Sequence, residues 1–166
     1  MQRSDPEGHI AICFVCLGNI CRSPTAEGVM AREVRRAGLA AHIRVDSAGT
    51  AAYHSGELAD PRTRRTAKEH GIELTHRARQ VVPRDFHAFD LLVAMDHANA
   101  ESLRGLAPDG KAHKIVLFRS FEANAPKGAE VPDPYYGGER GFEEVFEICE
   151  RASAGLLEHI KKTLLV

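Results

Sequence analysis

The chain has 166 residues, 43% of them hydrophobic and 27% charged, with 22 Lys and Arg against 23 Asp and Glu. That mix suits one soluble globular domain over 1–166 and excludes disorder, collagen-like repeats and coiled coil. The near-zero net charge argues against a nucleic-acid or membrane-surface binder, and no apolar run approaches the ~20 residues of a membrane span.

Residues 1–8 are polar and expected to be loose, without the apolar stretch of a secretory signal. Ile10-Ala11-Ile12-Cys13-Phe14-Val15 is a continuous apolar run, as expected of a parallel strand buried on both faces. Residues 16–22 read as a loop. A helix follows from about Pro24, with Ser23 as its N-cap and Gly38 as its stop. Ala26, Val29, Met30, Val34 and Ala37 recur at helical spacing and should face the sheet. Ile43 to Ala48 alternates like an edge strand. Residues 60–70 read as a helix ending at Gly71. Leu91 to Met95 and Ile115 to Phe118 read as two further buried strands, with a helix over 97–106 between them. Phe142, Val145, Phe146, Cys149, Leu156, Leu157, Ile160 and Leu164 mark a long amphipathic C-terminal helix. Strands alternating with helices imply a parallel sheet covered on both faces. Ligands of such sheets bind beyond the carboxyl ends of the strands, so the loop after the first strand is the place to look.

That loop is Cys16-Leu17-Gly18-Asn19-Ile20-Cys21-Arg22-Ser23. Backbone N–H groups at a helix N-terminus converge on one point and carry positive partial charge. Gly18 and Asn19 are the residues here that best tolerate left-handed backbone angles, so the loop should form an anion nest. Cys16 sits at its mouth, where the same field favours a reactive thiolate. Ser23 is placed to donate its hydroxyl to that sulfur. Arg22 offers a planar fork that matches two phosphate oxygens. A nucleophile, an oxyanion cradle and an arginine clamp suit phosphoryl transfer through a cysteinyl-phosphate. Other readings fit less well. Cys13, Cys16 and Cys21 match no common zinc or iron–sulfur spacing, and a nucleotide P-loop would need a terminal Gly-Lys-Ser/Thr. Cys13 and Cys149 read as core thiols. Three of the four cysteines crowd into nine residues, which is no disulfide framework and points to a reducing cytoplasm.

Expelling an alkoxide or phenolate calls for a proton donor. Asp133, in Val131-Pro132-Asp133-Pro134-Tyr135-Tyr136-Gly137-Gly138, is the candidate, presented between two prolines that stiffen its loop. By itself Asp-Pro is also a common turn. Tyr53, Tyr135 and Tyr136 are the chain's three tyrosines and all read as loop residues, suited to the walls of an aryl pocket.

Cys16 to Pro24 resembles the signature of the low-molecular-weight protein tyrosine phosphatases. The likeness continues through Asp46-Ser47-Ala48-Gly49-Thr50 and Asp133-Pro134-Tyr135-Tyr136. It implies a flavodoxin-like three-layer α/β fold with a four-stranded parallel sheet in the order 2-1-3-4. It also implies metal-independent, cofactor-free hydrolysis of phosphotyrosine, with Asp133 as acid and then as the base that activates water. The three tyrosines would stand at the cleft rim, with Leu17 and Ile20 on the floor side. Ser47 would hold Asn19, and His76 and Asp96 would form a structural pair, although Asp96 also reads as a helix N-cap. Phosphoarginine-hydrolysing relatives carry Thr at position 20, so Ile20 favours phosphotyrosine. A reversible Cys16–Cys21 disulfide would protect the nucleophile. The partners implied are phosphotyrosine proteins, with a tyrosine kinase as one candidate. An arsenate reductase of this fold would need relay cysteines, and none lies between Cys21 and Cys149. A non-catalytic phosphate-binding adaptor and a small nucleotide or flavin module are the remaining alternatives. The basic run Arg62, Arg64, Arg65, Lys68, His76, Arg77 and Arg79 reads first as a solvated face and second as a surface that steers phosphoproteins.

Overall fold

A computed structural model describes residues 7–135 and 137–165. Residues 1–6 of the expected loose segment, and Tyr136, lie outside the described residues.

The apolar run forms β1 (Ile10–Cys16), every residue of which is buried. It pairs in parallel with β2 (Ile43–Gly49) on one side and with β3 (Leu91–Ala94) on the other. A short β4 (Ile115–Leu117) pairs with β3, which gives the sheet order β2-β1-β3-β4. The four-stranded parallel sheet in the order 2-1-3-4 is the architecture expected.

Because side chains alternate across a strand, β1 feeds two cores. Ile10, Ile12 and Phe14 join one side, where Val29, Met30, Phe146, Leu156 and Ile160 are buried. Ala11, Cys13 and Val15 join Phe86, Leu92, Ala100 and Leu103 on the opposite side. The helices are α1 (Arg22–Arg36), α2 (Pro61–Glu69), α3 (Asp85–Ala88), α4 (His97–Leu106) and α5 (Glu139–Thr163). Gly38 and Gly71 follow α1 and α2 with φ of 72° and 80°, the left-handed turn that a side chain resists.

Several expectations need correction. Helix α1 begins at Arg22, its N-cap is Cys21, and no side chain caps it, so Ser23 lies inside the helix. Its hydroxyl is committed to the loop instead. Ala37 is exposed as the C-cap rather than facing the sheet. β4 lies at the sheet edge and is only half-buried. The fully buried Phe118 leaves the strand for a 3₁₀ turn, Phe118–Phe121, and stacks edge-on against Phe14 at 4.9 Å. The one-turn helix α3 has too few residues to show a period.

That 3₁₀ turn presses on α5. A Cβ at Gly155 would stand 1.7 Å from the Phe121 carbonyl oxygen. In an open helix, Gly→Ala would add about 1 kcal/mol of stability. Here the obstacle is backbone, so Gly155→Ala should instead lose about 2 kcal/mol, a fall in Tm on the order of 5 °C by thermal melting. A rise in Tm would show that the turn does not pack this tightly.

Candidate active site

The carboxyl end of β1 runs directly into the loop, and the loop into α1. Asn19 is its only non-glycine residue with positive φ, at 57°, and it is 1% exposed. Its side chain explains how that angle is held. Nδ2 donates to Ser23 Oγ at 2.8 Å and to Ser47 Oγ at 3.0 Å. Oδ1 accepts from the Arg79 backbone N–H at 3.1 Å and from His76 Nε2 at 3.0 Å. A backbone N–H can only donate, so it fixes which amide atom faces it. His76 must then carry its proton on Nε2. All four hydrogen-bonding positions of the amide are filled.

Each serine passes the bond onward. Ser23 Oγ, having accepted from Asn19, has its proton free for Cys16 Sγ, 3.0 Å away. Ser47 Oγ donates in the same way to Glu27 Oε1 at 2.5 Å. The loop is also tied down through its backbone, with Thr50 N–H donating to Cys16 O and Ala51 N–H to Leu17 O. Gly49 makes this approach possible, since a Cβ there would stand 2.8 Å from Leu17 O.

Arg22 is 4% exposed and enters from the first turn of α1. Its Nη1 donates to Asp96 Oδ2 at 2.6 Å and to Val131 O at 3.2 Å, and its Nη2 lies 3.6 Å from Asp133 Oδ2. Burial opposes its charge, but Cys16, Asp96 and Asp133 outweigh that and raise its pKa, so it stays a cation. Asp133 is held in an Asx turn by the Tyr135 N–H at 3.0 Å. Together these groups line a cleft of about 190 Å³, bounded by Cys16, Leu17, Gly18, Ile20, Cys21, Arg22, Tyr53, His54, Asp133 and Tyr135.

A family model described as low molecular weight phosphotyrosine protein phosphatase matches residues 11–165. The chain belongs to that family. It is 48% identical to the low molecular weight protein-tyrosine-phosphatase of Streptomyces coelicolor, over 91% of this chain and 93% of that one. A putative low molecular weight protein-tyrosine-phosphatase of Synechocystis is 44% identical, over 93% and 98%. Among solved structures, a protein tyrosine phosphatase from Entamoeba histolytica, with Hepes in its active site, superposes with a TM-score of 0.88. It is 41% identical, over 92% of this chain and 97% of that one.

The phosphatase brings most of the residues singled out in its sequence to one place, with exceptions. Gly18 does not take a left-handed angle. What it supplies is room, since a Cβ there would stand 3.2 Å from the His54 ring. Leu17 is 44% exposed and stands at the cleft mouth, not on the floor side, whereas Ile20 is buried. His76 and Asp96 do not pair with each other. His76 Nδ1 faces Asp46 at 3.5 Å and Glu27 at 3.6 Å, while Asp96 holds Arg22 and caps α4 by accepting from Asn99 N–H at 2.7 Å. Cys21 faces the cleft as a neutral thiol, because burial pushes it up to about 12. Burial likewise pushes up the thiols of Cys13 and Cys149, both wholly enclosed.

Two residues of the site, His54 and Glu27, go unread in the sequence, and Arg79 is read there only as part of the basic run. His54 lines the cleft with its Nδ1 on Glu57 at 2.8 Å. The Arg79 backbone fixes Asn19. Glu27 lies four residues beyond Ser23 and so on the same face of α1, which was the one available signal.

Burial pushes the Glu27 carboxyl up to about 7, against the Ser47 bond, with Asp46 pushing the same way. A carboxyl whose pKa is raised by folding contributes stability that is complete below its unfolded value, about 4.3, and lost as pH rises through the folded value. Glu27→Gln keeps an acceptor for Ser47 and cannot ionise. Its Tm relative to the parent should therefore climb between about pH 5 and pH 8. Parallel melting curves across that range would mean that Glu27 titrates normally.

Proposed function

We propose that the phosphatase hydrolyses phosphotyrosine and small aryl phosphates in two steps on the loop 16–23, without a metal ion or other cofactor. Cys16 Sγ attacks phosphorus in line. The S–P bond forms as the P–O bond to the phenol breaks, and Asp133 gives its proton to the leaving oxygen. Asp133, now a carboxylate, takes a proton from water. That water attacks the cysteinyl-phosphate, the S–P bond breaks, and inorganic phosphate and the thiolate are released. Arg22 and the loop N–H groups receive the equatorial oxygens throughout, the role a metal ion plays elsewhere.

One observation carries this reading. Cys16, Arg22 and Asp133, from segments more than a hundred residues apart, line the same small cleft at the end of β1. The aromatic rim supports an aryl substrate. Tyr53 is 76% exposed and Tyr135 38%, and the Arg62 guanidinium lies 5.4 Å over the Tyr135 ring. We propose Tyr136 as a further rim residue from the sequence alone. Ile20 lines the cleft with an apolar surface, in keeping with phosphotyrosine over phosphoarginine. Among the described residues all four cysteines are free, which fits a reducing cytoplasm, and no helix is long and apolar enough to cross a membrane. Substrate proteins would include any tyrosine kinase that carries its own phosphotyrosine.

Cys16→Ser should abolish turnover of p-nitrophenyl phosphate while phosphate still binds in a calorimetric titration. Measurable steady-state hydrolysis by that variant would remove Cys16 from the nucleophile role. Asp133→Ala should slow hydrolysis by roughly 10²–10³-fold for poor leaving groups and much less for p-nitrophenol, which departs without a proton. Equal losses for both leaving groups would assign proton donation elsewhere.

A further inference from the structure

A second groove, of about 490 Å³, lies on the outer side of α2. One wall carries Arg64, Arg65 and Lys68, and the other is the segment 71–74, whose Glu73 is the groove's one acid. Arg64 and Lys68 sit one helical turn apart, both exposed, and among the described residues neither has an ion pair or a side-chain hydrogen bond. Like charges at this spacing repel one another and weaken the helix. An anionic partner would relieve that.

The opposite wall has the form of a strand without a neighbour. Ile72 and Leu74 are buried, while Glu73 and Thr75 between and beyond them are exposed, the two-residue alternation of extended chain. Leu74 reaches α1 so closely that a Cβ at Gly28 would stand 2.5 Å from its Cδ2. Yet residues 73–75 make no backbone–backbone hydrogen bond among the described residues. Open backbone beside a basic helix is what an extended acidic peptide can pair with.

The helix that forms one wall of the groove is also tied at its start to the cleft. Asp60, just before α2, donates its N–H to Ile20 O of the phosphate loop at 2.9 Å, and Arg62 lies over the cleft residue Tyr135. Lys68 stands about 9 Å farther along the helix axis at 1.5 Å per residue. Extended chain at about 3.3 Å per residue covers that in roughly three positions.

We propose that this groove docks an acidic, extended stretch of the substrate protein, roughly four to six positions from its phosphotyrosine. Arg64 and Lys68 pair with the acidic side chains, and the backbone of residues 73–75 pairs with the main chain. The proposal rests on the phosphatase reading and narrows its substrate class.

The test uses phosphotyrosine peptides that differ only four to six positions from the phosphotyrosine, on either side, where they carry Asp and Glu, Ala, or Lys. The acidic peptide should be hydrolysed with kcat/KM about tenfold above the alanine peptide, mostly through KM, and the advantage should shrink at about 0.5 M salt. Arg64→Ala with Lys68→Ala should erase the preference. Arg64→Glu with Lys68→Glu should turn it toward the lysine peptide. Both pairs should retain the parent's Tm and p-nitrophenyl phosphate hydrolysis. If the parent treats acidic and alanine peptides alike on both sides, or if the charge-reversed protein keeps the acidic preference, the docking proposal is overturned. If the parent fails to hydrolyse p-nitrophenyl phosphate, the phosphatase reading itself falls and takes this proposal with it.

Discussion

The structure depends on one backbone angle. Asn19 holds φ at 57°, a conformation that costs an ordinary residue about 1 kcal/mol or more. Glycine would take that angle more cheaply but could not be held there. Asparagine takes it and is then gripped through its amide by four partners from three places: Ser23 on α1, Ser47 on β2, and His76 and Arg79 on the segment after α2. The nest therefore exists only when α1, β2 and that segment are packed as they are. Fold and site are coupled through a single side chain.

The same amide links two anion sites of opposite kind. On one side, Asn19 through Ser23 presents a hydroxyl proton to Cys16 Sγ, at the open cleft. On the other, Asn19 through Ser47 presents one to Glu27, away from the cleft. The carboxyl is half-shut from water and driven toward its neutral form, with Asp46 adding to that pressure. His76 is biased the same way, burial lowering its pKa against the pull of Asp46, so its neutral ring donates from Nε2 to Asn19. Burial thus works against the charge of both His76 and Glu27, while the Arg79 side chain keeps its charge against Asp46 and Asp85.

What was legible in the sequence was local. β1, the loop and α1 follow one another without a break, so the apolar run, Asn19 and the helical spacing of Ala26, Val29, Met30 and Val34 could be read in order. The Asn19–Ser47 bond was reachable only through family likeness, because β2 lies 28 residues away. What was misread was what tertiary packing decides. Ser23 has the chemistry of an N-cap, but a partner on Asn19 and another on Cys16 take its hydroxyl, and Arg22 begins the helix instead. Family likeness puts Leu17 on the floor side, yet its side chain is exposed while its carbonyl accepts from the Ala51 N–H. Ile115 to Phe118 reads as a buried strand because the run is apolar throughout, but the fully buried Phe118 belongs to the turn after the strand.

The two carboxylates that flank Arg22 show how one guanidinium can sort two acids into different tasks. Asp96 has both oxygens engaged, Oδ1 on the Asn99 N–H and Oδ2 on Arg22, and its side chain is 20% exposed. A proton added there would break the helix cap or the ion pair, so Asp96 is suited to holding Arg22 and poorly suited to shuttling protons. Asp133 is 37% exposed, with Oδ1 on the Tyr135 N–H and Oδ2 at 3.6 Å from Arg22, too long for a hydrogen bond. Oδ2 is therefore the less committed oxygen of the two that face Arg22. The same chain of reasoning accounts for the position of the acid between Pro132 and Pro134, since a proton donor that pairs weakly must be aimed by its backbone. The contrast, one acid hydrogen-bonded at both oxygens and one at a single oxygen, follows from the loop that carries each, and it supports the proposed acid role of Asp133.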